Sequence, residues 1–148
     1  MLAERLHFAA LHLMRGVRTA DRSLNVGPAQ LSALSVLLSG PKTLSEIGER
    51  EQVSAPTVSR VAAGLVARGL ARRVANSDDG RSSRLGITGR GQRLIERGRR
   101  ARIAMIAAAL NELDTDEREN LERVIPALER VALSVLRTKS TPRSQRPS

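Results

Sequence analysis

The sequence predicts a mainly α-helical chain carrying one small β-hairpin, on three observations. Apolar residues recur at three- and four-residue steps through most of the 148 residues. One short stretch, from Leu70 to Ile87, instead reads as two strands around an Asp-Gly turn. Helix start and stop residues fall between these segments at consistent places.

Leu2, Leu6, Ala9, Leu13 and Val17 define an amphipathic first helix ending near Ala20. Asn25-Val26-Gly27-Pro28 is a break. A second helix follows, with Leu31, Leu34, Val36, Leu37 and Leu38 as its apolar face, and Gly40-Pro41 ends it. Thr43-Leu44-Ser45-Glu46 fits a capping box opening a short helix from Leu44 to Glu51. Ser54 is a good N-cap for the next helix, and Pro56 fits the first turn, where a missing N–H costs little. That helix places Val58, Val61, Ala62, Leu65 and Val66 on one face and stops at Arg68-Gly69. Strands are expected over Leu70–Ala75 and Ser83–Ile87, joined by Ser77-Asp78-Asp79-Gly80. Thr88 caps a long helix running to about Leu113, and Asp114 opens a last one carrying Leu121, Val124, Leu128, Val131 and Val135. The tail from residue 138 to 148 is basic and rich in Ser, Thr and Pro, a composition that predicts disorder.

Charge narrows the function. The formal net charge is +10, and Lys42 and Lys139 are the only lysines among 25 basic residues. From Ala55 to Ile103 there are twelve arginines against three acids, whereas Glu112 to Glu129 carries seven acids and two arginines. The total suits either a polyanionic partner or solvation plus an arginine-rich compositional bias. The segregation suits a binding face for a polyanion. With no cysteine there are no disulfides, thiol switches or cysteine metal sites, which fits a cytoplasmic protein. His7 and His12 lie five residues apart, about 140° round a helix, and do not clamp one metal. No apolar run approaches the roughly 20 residues of a membrane span, and there is no signal-peptide pattern. Phe8 is the only aromatic residue, so base stacking, the usual device for single strands, is nearly excluded. No nucleophile–base–acid set, phosphate-binding glycine loop or metal-ligand spacing suggests an enzyme or a cofactor.

Duplex DNA fits best. Two helices and a tight turn, Thr43 to Gly69, form a helix-turn-helix candidate, although two packed core helices read the same way. The start of the second helix presents Ser54, Ala55, Thr57, Ser59 and Arg60, small or hydrogen-bonding groups suited to base edges and phosphates. In the hairpin, Arg81 at the tip and Arg84 beside it suit a narrow minor groove. Asp79 either holds the Arg81 guanidinium or shapes an Asx turn. The apolar stripes of Leu2, Leu6 and Leu13, and of Leu121, Leu128, Val131 and Val135, serve either a dimer interface or an internal core.

Leu44-Ser45-Glu46-Ile47, Val53-Ser54-Ala55-Pro56-Thr57-Val58-Ser59-Arg60, Leu65-Val66-Ala67-Arg68-Gly69-Leu70, Asp79-Gly80-Arg81 and Ile87-Thr88-Gly89-Arg90-Gly91 together resemble the MarR family of bacterial transcriptional regulators. The resemblance implies a winged helix-turn-helix lobe over residues 28–91 within a single domain of residues 1–137. Residues 1–20 and 92–137 would be dimerisation helices. It implies a homodimer on a pseudo-palindromic operator, repression by covering a promoter, and release by a small-molecule effector. Ser54, Pro56, Thr57, Ser59, Arg60, Asp79 and Arg81 would be its DNA-binding residues, Pro56 shaping the helix start. Two departures stand out. Gly86 replaces a bulkier strand residue, which predicts a more mobile wing. The missing cysteines and aromatics exclude peroxide sensing and leave an effector pocket without stacking partners. A non-specific architectural DNA binder and a winged-helix protein-interaction module are the alternatives.

Overall fold

A computed structural model describes residues 1–75 and 83–138. The elements are α1 (Leu2–Val17), a 3₁₀ segment (Arg18–Leu24), α2 (Pro28–Leu37), α3 (Leu44–Glu51) and α4 (Ala55–Ala67). Then come β1 (Ala71–Val74), β2 (Arg84–Ile87), α5 (Gly89–Leu110) and α6 (Thr115–Thr138). The fold class is the expected one: helices with a single antiparallel hairpin. Contacts divide the chain into two units, Met1–Ile106 and Ala107–Ser148.

The first unit has its core where α2, α4 and the hairpin meet. Leu34, Leu37 and Leu65 are completely buried, with Ile47, Val58, Ala62 and Leu85 packed around them. The α3 start follows from its capping box. The Glu46 amide donates to the Thr43 hydroxyl at 3.2 Å, and the Thr43 amide donates to the Glu46 carboxylate at 2.7 Å. Gly69, at φ +66°, supplies the left-handed turn that ends α4. Two residues expected on apolar faces are not in the core: Leu38 is the C-cap of α2 and Val66 points outward from α4, and both are exposed.

Several boundaries differ from the sequence expectation, each for a local reason. The α1 helix stops at Val17 rather than Ala20. Beyond it the Thr19 and Ser23 hydroxyls donate to the Gly16 and Ala20 carbonyls three residues back, and the chain tightens to 3₁₀. Left-handed Asn25, at φ 53°, ends that segment. The first strand starts at Ala71 rather than Leu70: the Leu70 carbonyl still accepts the Thr88 amide at 3.0 Å, but the Leu70 amide turns back to the Leu65 carbonyl at 2.9 Å instead of joining the ladder. The register is Ala71↔Ile87, Arg72↔Gly86, Arg73↔Leu85 and Val74↔Arg84. The α5 helix ends at Leu110 rather than Leu113, since the amides of Glu112 and Leu113 bond three residues back in a tightened last turn.

Gly86 sits in a closely packed site at the wing root, and the wing tip beyond it lies outside the described residues. A Cβ at Gly86 would lie 3.0 Å from a Val74 methyl and 3.6 Å from the Pro41 ring, so neighbouring side chains already occupy the space.

The second unit contains the end of α5 and all of α6. Asp114 opens α6 with another capping box: the Glu117 amide donates to its carboxylate at 2.8 Å, and its own amide donates to Glu117 at 3.1 Å. Pro126 sits inside α6 and leaves the Glu122 carbonyl without its usual helical donor. The apolar pattern of α6 gave no sign of that interruption.

Candidate nucleic-acid interface

The start of α4 owes its exposure to helical geometry. Val58, Ala62 and Leu65 face the core on one side. The remaining side carries Ser54, Ala55, Pro56, Ser59 and Arg60, all exposed, with Thr57 half-buried at the border. No acid lies between Ser54 and Ala67, and the first turn of the helix carries no acidic side chain and no side-chain cap. The surface therefore offers hydroxyl donors, one guanidinium and the positive end of a helix, a set suited to phosphates and base edges. Ser54 holds the N-cap position, but its hydroxyl does not cap: it lies 2.9 Å from the Thr57 hydroxyl. One hydroxyl of that pair donates to the other, leaving one proton free for an incoming acceptor.

The hairpin root is tied on both edges. Beyond β1, Leu85 exchanges two backbone hydrogen bonds with Lys42, at 2.7 and 3.0 Å. Sequence reasoning missed this third strand-like segment because Pro41-Lys42 is too short to show a period. On the other side the Thr88 hydroxyl lies 2.7 Å from the Gly69 carbonyl, to which it donates, and accepts the Gly91 amide at 3.1 Å. Gly91 is buried so tightly that a Cβ would stand 2.2 Å from the Leu70 carbonyl oxygen. The spacing of Thr88 and Gly91 thus has a mechanical meaning: a cap and a close approach that seat α5 on the strand entrance.

The wing tip lies outside the described residues, so Asp79 and Arg81 have no described geometry. Arg84 opens β2 half-buried, opposite Val74. Its Nε is enclosed and has no hydrogen-bond partner among the described residues. The Glu46 carboxyl is held below its ordinary pKa, chiefly by the Thr43 amide that donates to it and also by the Thr43 hydroxyl, Arg84 and Lys42. Arg84 therefore shares the field of the α3 cap at the wing root. Arg73 donates to the Ser83 hydroxyl at 2.9 Å.

Of the dimerisation candidates, Leu2, Leu13, Val131 and Val135 are exposed, and Leu6, Leu121 and Leu128 are half-buried. Sequence reasoning omitted Phe8, Leu133 and Leu136, each more than half exposed on the same two helices. The Phe8 and His12 rings stack at 4.0 Å.

A cavity of about 610 Å³ opens between the 3₁₀ segment and α2, lined by Arg18, Asp21, Arg22, Val26, Pro28 and Leu31 among others, with no aromatic side chain. Asp21 is ion-paired with Arg102 of α5. Among the described residues no cluster of His, Cys, Asp and Glu could hold a metal ion. No described helix is long and apolar enough to cross a membrane.

A helix-turn-helix followed by an antiparallel hairpin clamped at its root defines a winged helix-turn-helix protein. Residues 24–82 match the MarR family. An HTH-type transcriptional regulator of Mycobacterium bovis is 35% identical over 121 residues, covering 81% of this chain and 85% of that protein. Among solved structures, the YusO protein of Bacillus subtilis is similar at a TM-score of 0.71 and 26% identity, over 87% of this chain and 95% of that one. A variant of MepR from S. aureus, solved bound to an oligodeoxyribonucleotide, is similar at a TM-score of 0.70 and 20% identity, over 91% of this chain and 98% of that one. The chain belongs to the MarR family of helix-turn-helix transcriptional regulators.

Proposed function

We propose that the protein is a homodimeric, sequence-specific regulator of double-stranded DNA that represses by covering a pseudo-palindromic promoter site. The observation that carries this reading is the outer face of α4. Hydroxyls and Arg60 stand exposed at its start while its apolar residues are spent on the core. In this reading Ser54, Thr57 and Ser59 contact phosphates and base edges, Arg60 reads a guanine or holds a phosphate, and Ala55 permits close approach. Arg81, steadied by Asp79, enters the minor groove, and Arg84 supports the wing from its root. The DNA-bound state of the S. aureus relative supports DNA as the partner.

Dimerisation through α1 and α6 is supported by their exposed leucines and valines, and two-fold symmetry then matches two half-sites one helical turn apart. An acidic small molecule held by Arg18 and Arg22 in the cavity beside α2 is the effector reading. Its entry would compete for the Asp21–Arg102 ion pair and shift α5, which is seated on the wing root.

The test is selection of bound fragments from the source genome, followed by gel-shift titration of the selected duplex with Arg81→Ala. The expected result is a preferred pseudo-palindrome and a strong loss of affinity in a variant that remains dimeric. Equal binding to random DNA would replace the regulator with an architectural binder. Absence of any DNA binding would leave a protein-interaction module.

A further inference from the structure

We propose that the outward arginine stripe at the start of α5 is a second phosphate-binding track, on which duplex DNA flanking the operator runs; this rests on the DNA-binding reading above. Arg90, Arg93, Arg97 and Arg100 are spaced three and four residues apart, so they fall within about 80° of one another on the helix. All four are exposed. The stripe lies about 110° round from the face that buries Gly91, Leu94 and Gly98, so packing does not account for it. The only acid of α5 is Glu96, which engages Arg99 at 3.4 Å and Arg100 at 3.9 Å. Arg90, Arg93 and Arg97 form no ion pair among the described residues.

The arrangement works against the helix that carries it. Like charges three and four residues apart repel. Cations in the first turns also oppose the positive end of the helix dipole, and no acid stands there to offset them. An incoming polyanion relieves both effects at once. Duplex DNA is favoured over an acidic protein by position and by spacing. Thr88 and Gly91 bind the start of α5 to Gly69 and Leu70, between exposed Arg68 at the end of α4 and exposed Arg72 on β1. Exposed arginines therefore flank the corner where α4, β1 and α5 meet. From Arg90 to Arg100 the stripe is about 15 Å long, with guanidiniums every 4.5–6 Å or so. A DNA strand carries one charge for about every 3.4 Å of axis, roughly four over that length against the four arginines.

The experiment compares two duplexes taken from the fragment selection. One spans only the selected pseudo-palindrome, and the other adds about one helical turn of random sequence at each end. Wild-type protein is expected to bind the longer duplex about tenfold or more tightly. Its salt dependence should also be steeper there, by roughly 0.9 in log–log slope for each added phosphate contact. The fourfold variant R90Q/R93Q/R97Q/R100Q should lose both the length gain and the extra slope while keeping its preference for the pseudo-palindrome over a scrambled core. The matching four-lysine variant should restore the slope, which separates charge from folding. The proposal is overturned if wild-type affinity does not depend on length, or if the four-glutamine variant keeps the gain. Loss of core-over-scramble preference in wild type would instead count against the operator reading, which the length and salt arms measure independently.

Discussion

Replacing Gly91 with alanine should destabilise the protein out of proportion to one methyl group. The added Cβ would meet the Leu70 carbonyl oxygen at 2.2 Å and an Ile87 side-chain carbon at 2.8 Å. The oxygen belongs to the backbone and cannot rotate away, so α5 must retreat from the strand by about 1 Å to reach ordinary contact. Retreat stretches the Thr88 hydroxyl bond to Gly69 and the Thr88 amide bond to Leu70. Overpacking costs about 1–3 kcal/mol and each weakened hydrogen bond about 1 kcal/mol. The better helix propensity of alanine returns up to about 1 kcal/mol. The net expectation is a loss of about 3 kcal/mol, or about 6–12 °C in Tm for a chain of this size. The assay is urea denaturation at fixed protein concentration, with Gly89→Ala as the control. A Cβ at Gly89 meets only the Arg93 side chain, at 3.4 Å, and that tip can move. The control should be neutral or slightly stabilising. If both variants unfold at the wild-type midpoint, α5 is not seated by that close approach and the account of the wing root fails.

Arg60→Ala should lower operator affinity by about tenfold and relax the preference at one base position, read by gel shift on single-base operator variants. A uniform loss on all sequences would make Arg60 a phosphate contact. The Glu46 carboxyl is depressed in the folded state, so its contribution to stability is complete above the ordinary carboxylate range of about pH 4–5 and disappears as pH falls through the folded value. The gap in urea midpoint between wild type and Glu46→Gln should therefore be open at pH 7 and close on acidification; a gap independent of pH would show that the charge on Glu46 is not involved. Val135→Asp, on an exposed site of α6, should turn a dimer into a monomer by size-exclusion chromatography with light scattering, without loss of helix by circular dichroism. A variant that stays dimeric removes Val135 from the interface.

How much was legible in the sequence depended on whether a feature was periodic or depended on contact. The α3 helix carries its own punctuation in Thr43 and Glu46, and both capping bonds form as the spacing predicts. Val58, Ala62 and Leu65 were readable because a 3.6-residue period sorts the inside of α4 from the outside. The exposed start of α4 is the complement of the same period. Features decided by contact were not readable. Pairing of Lys42 with Leu85 joins residues from opposite ends of the lobe and leaves no local pattern. Gly86 shows in the sequence only as a missing side chain, and the Val74 methyl 3.0 Å from where its Cβ would stand is visible only in the fold. Arg84 looked like a free wing cation, and only the fold puts its Nε among enclosed atoms beside the charge of Glu46.

Two clamps fix the root of the hairpin in addition to the burial of Leu70, Ala71 and Leu85. Its root is held from one side by main-chain bonds between Lys42 and Leu85, and from the other by Thr88 on the Gly69–Leu70 corner. Neither clamp depends on the identity of an aliphatic neighbour. Arg72 and Arg73 of β1 stand exposed and take no part in that burial. The clamps lie in series with the elements at either end. Lys42 immediately precedes the Thr43 cap of α3, and Gly69 immediately follows Arg68, the C-cap of α4. Thr88 immediately precedes α5, whose Arg102 is paired with Asp21 beside the cavity. A displacement of α5 therefore reaches the wing root through rigid main chain within the first unit. The recognition helix is joined to the same corner by the left-handed turn at Gly69, by the Leu70 amide, which donates to the Leu65 carbonyl at 2.9 Å, and by shared burial of Leu65 and Leu70. The wing root and the recognition helix thus share the corner on which α5 is seated, so a ligand that moves α5 should disturb the minor-groove contact and base reading by α4 together.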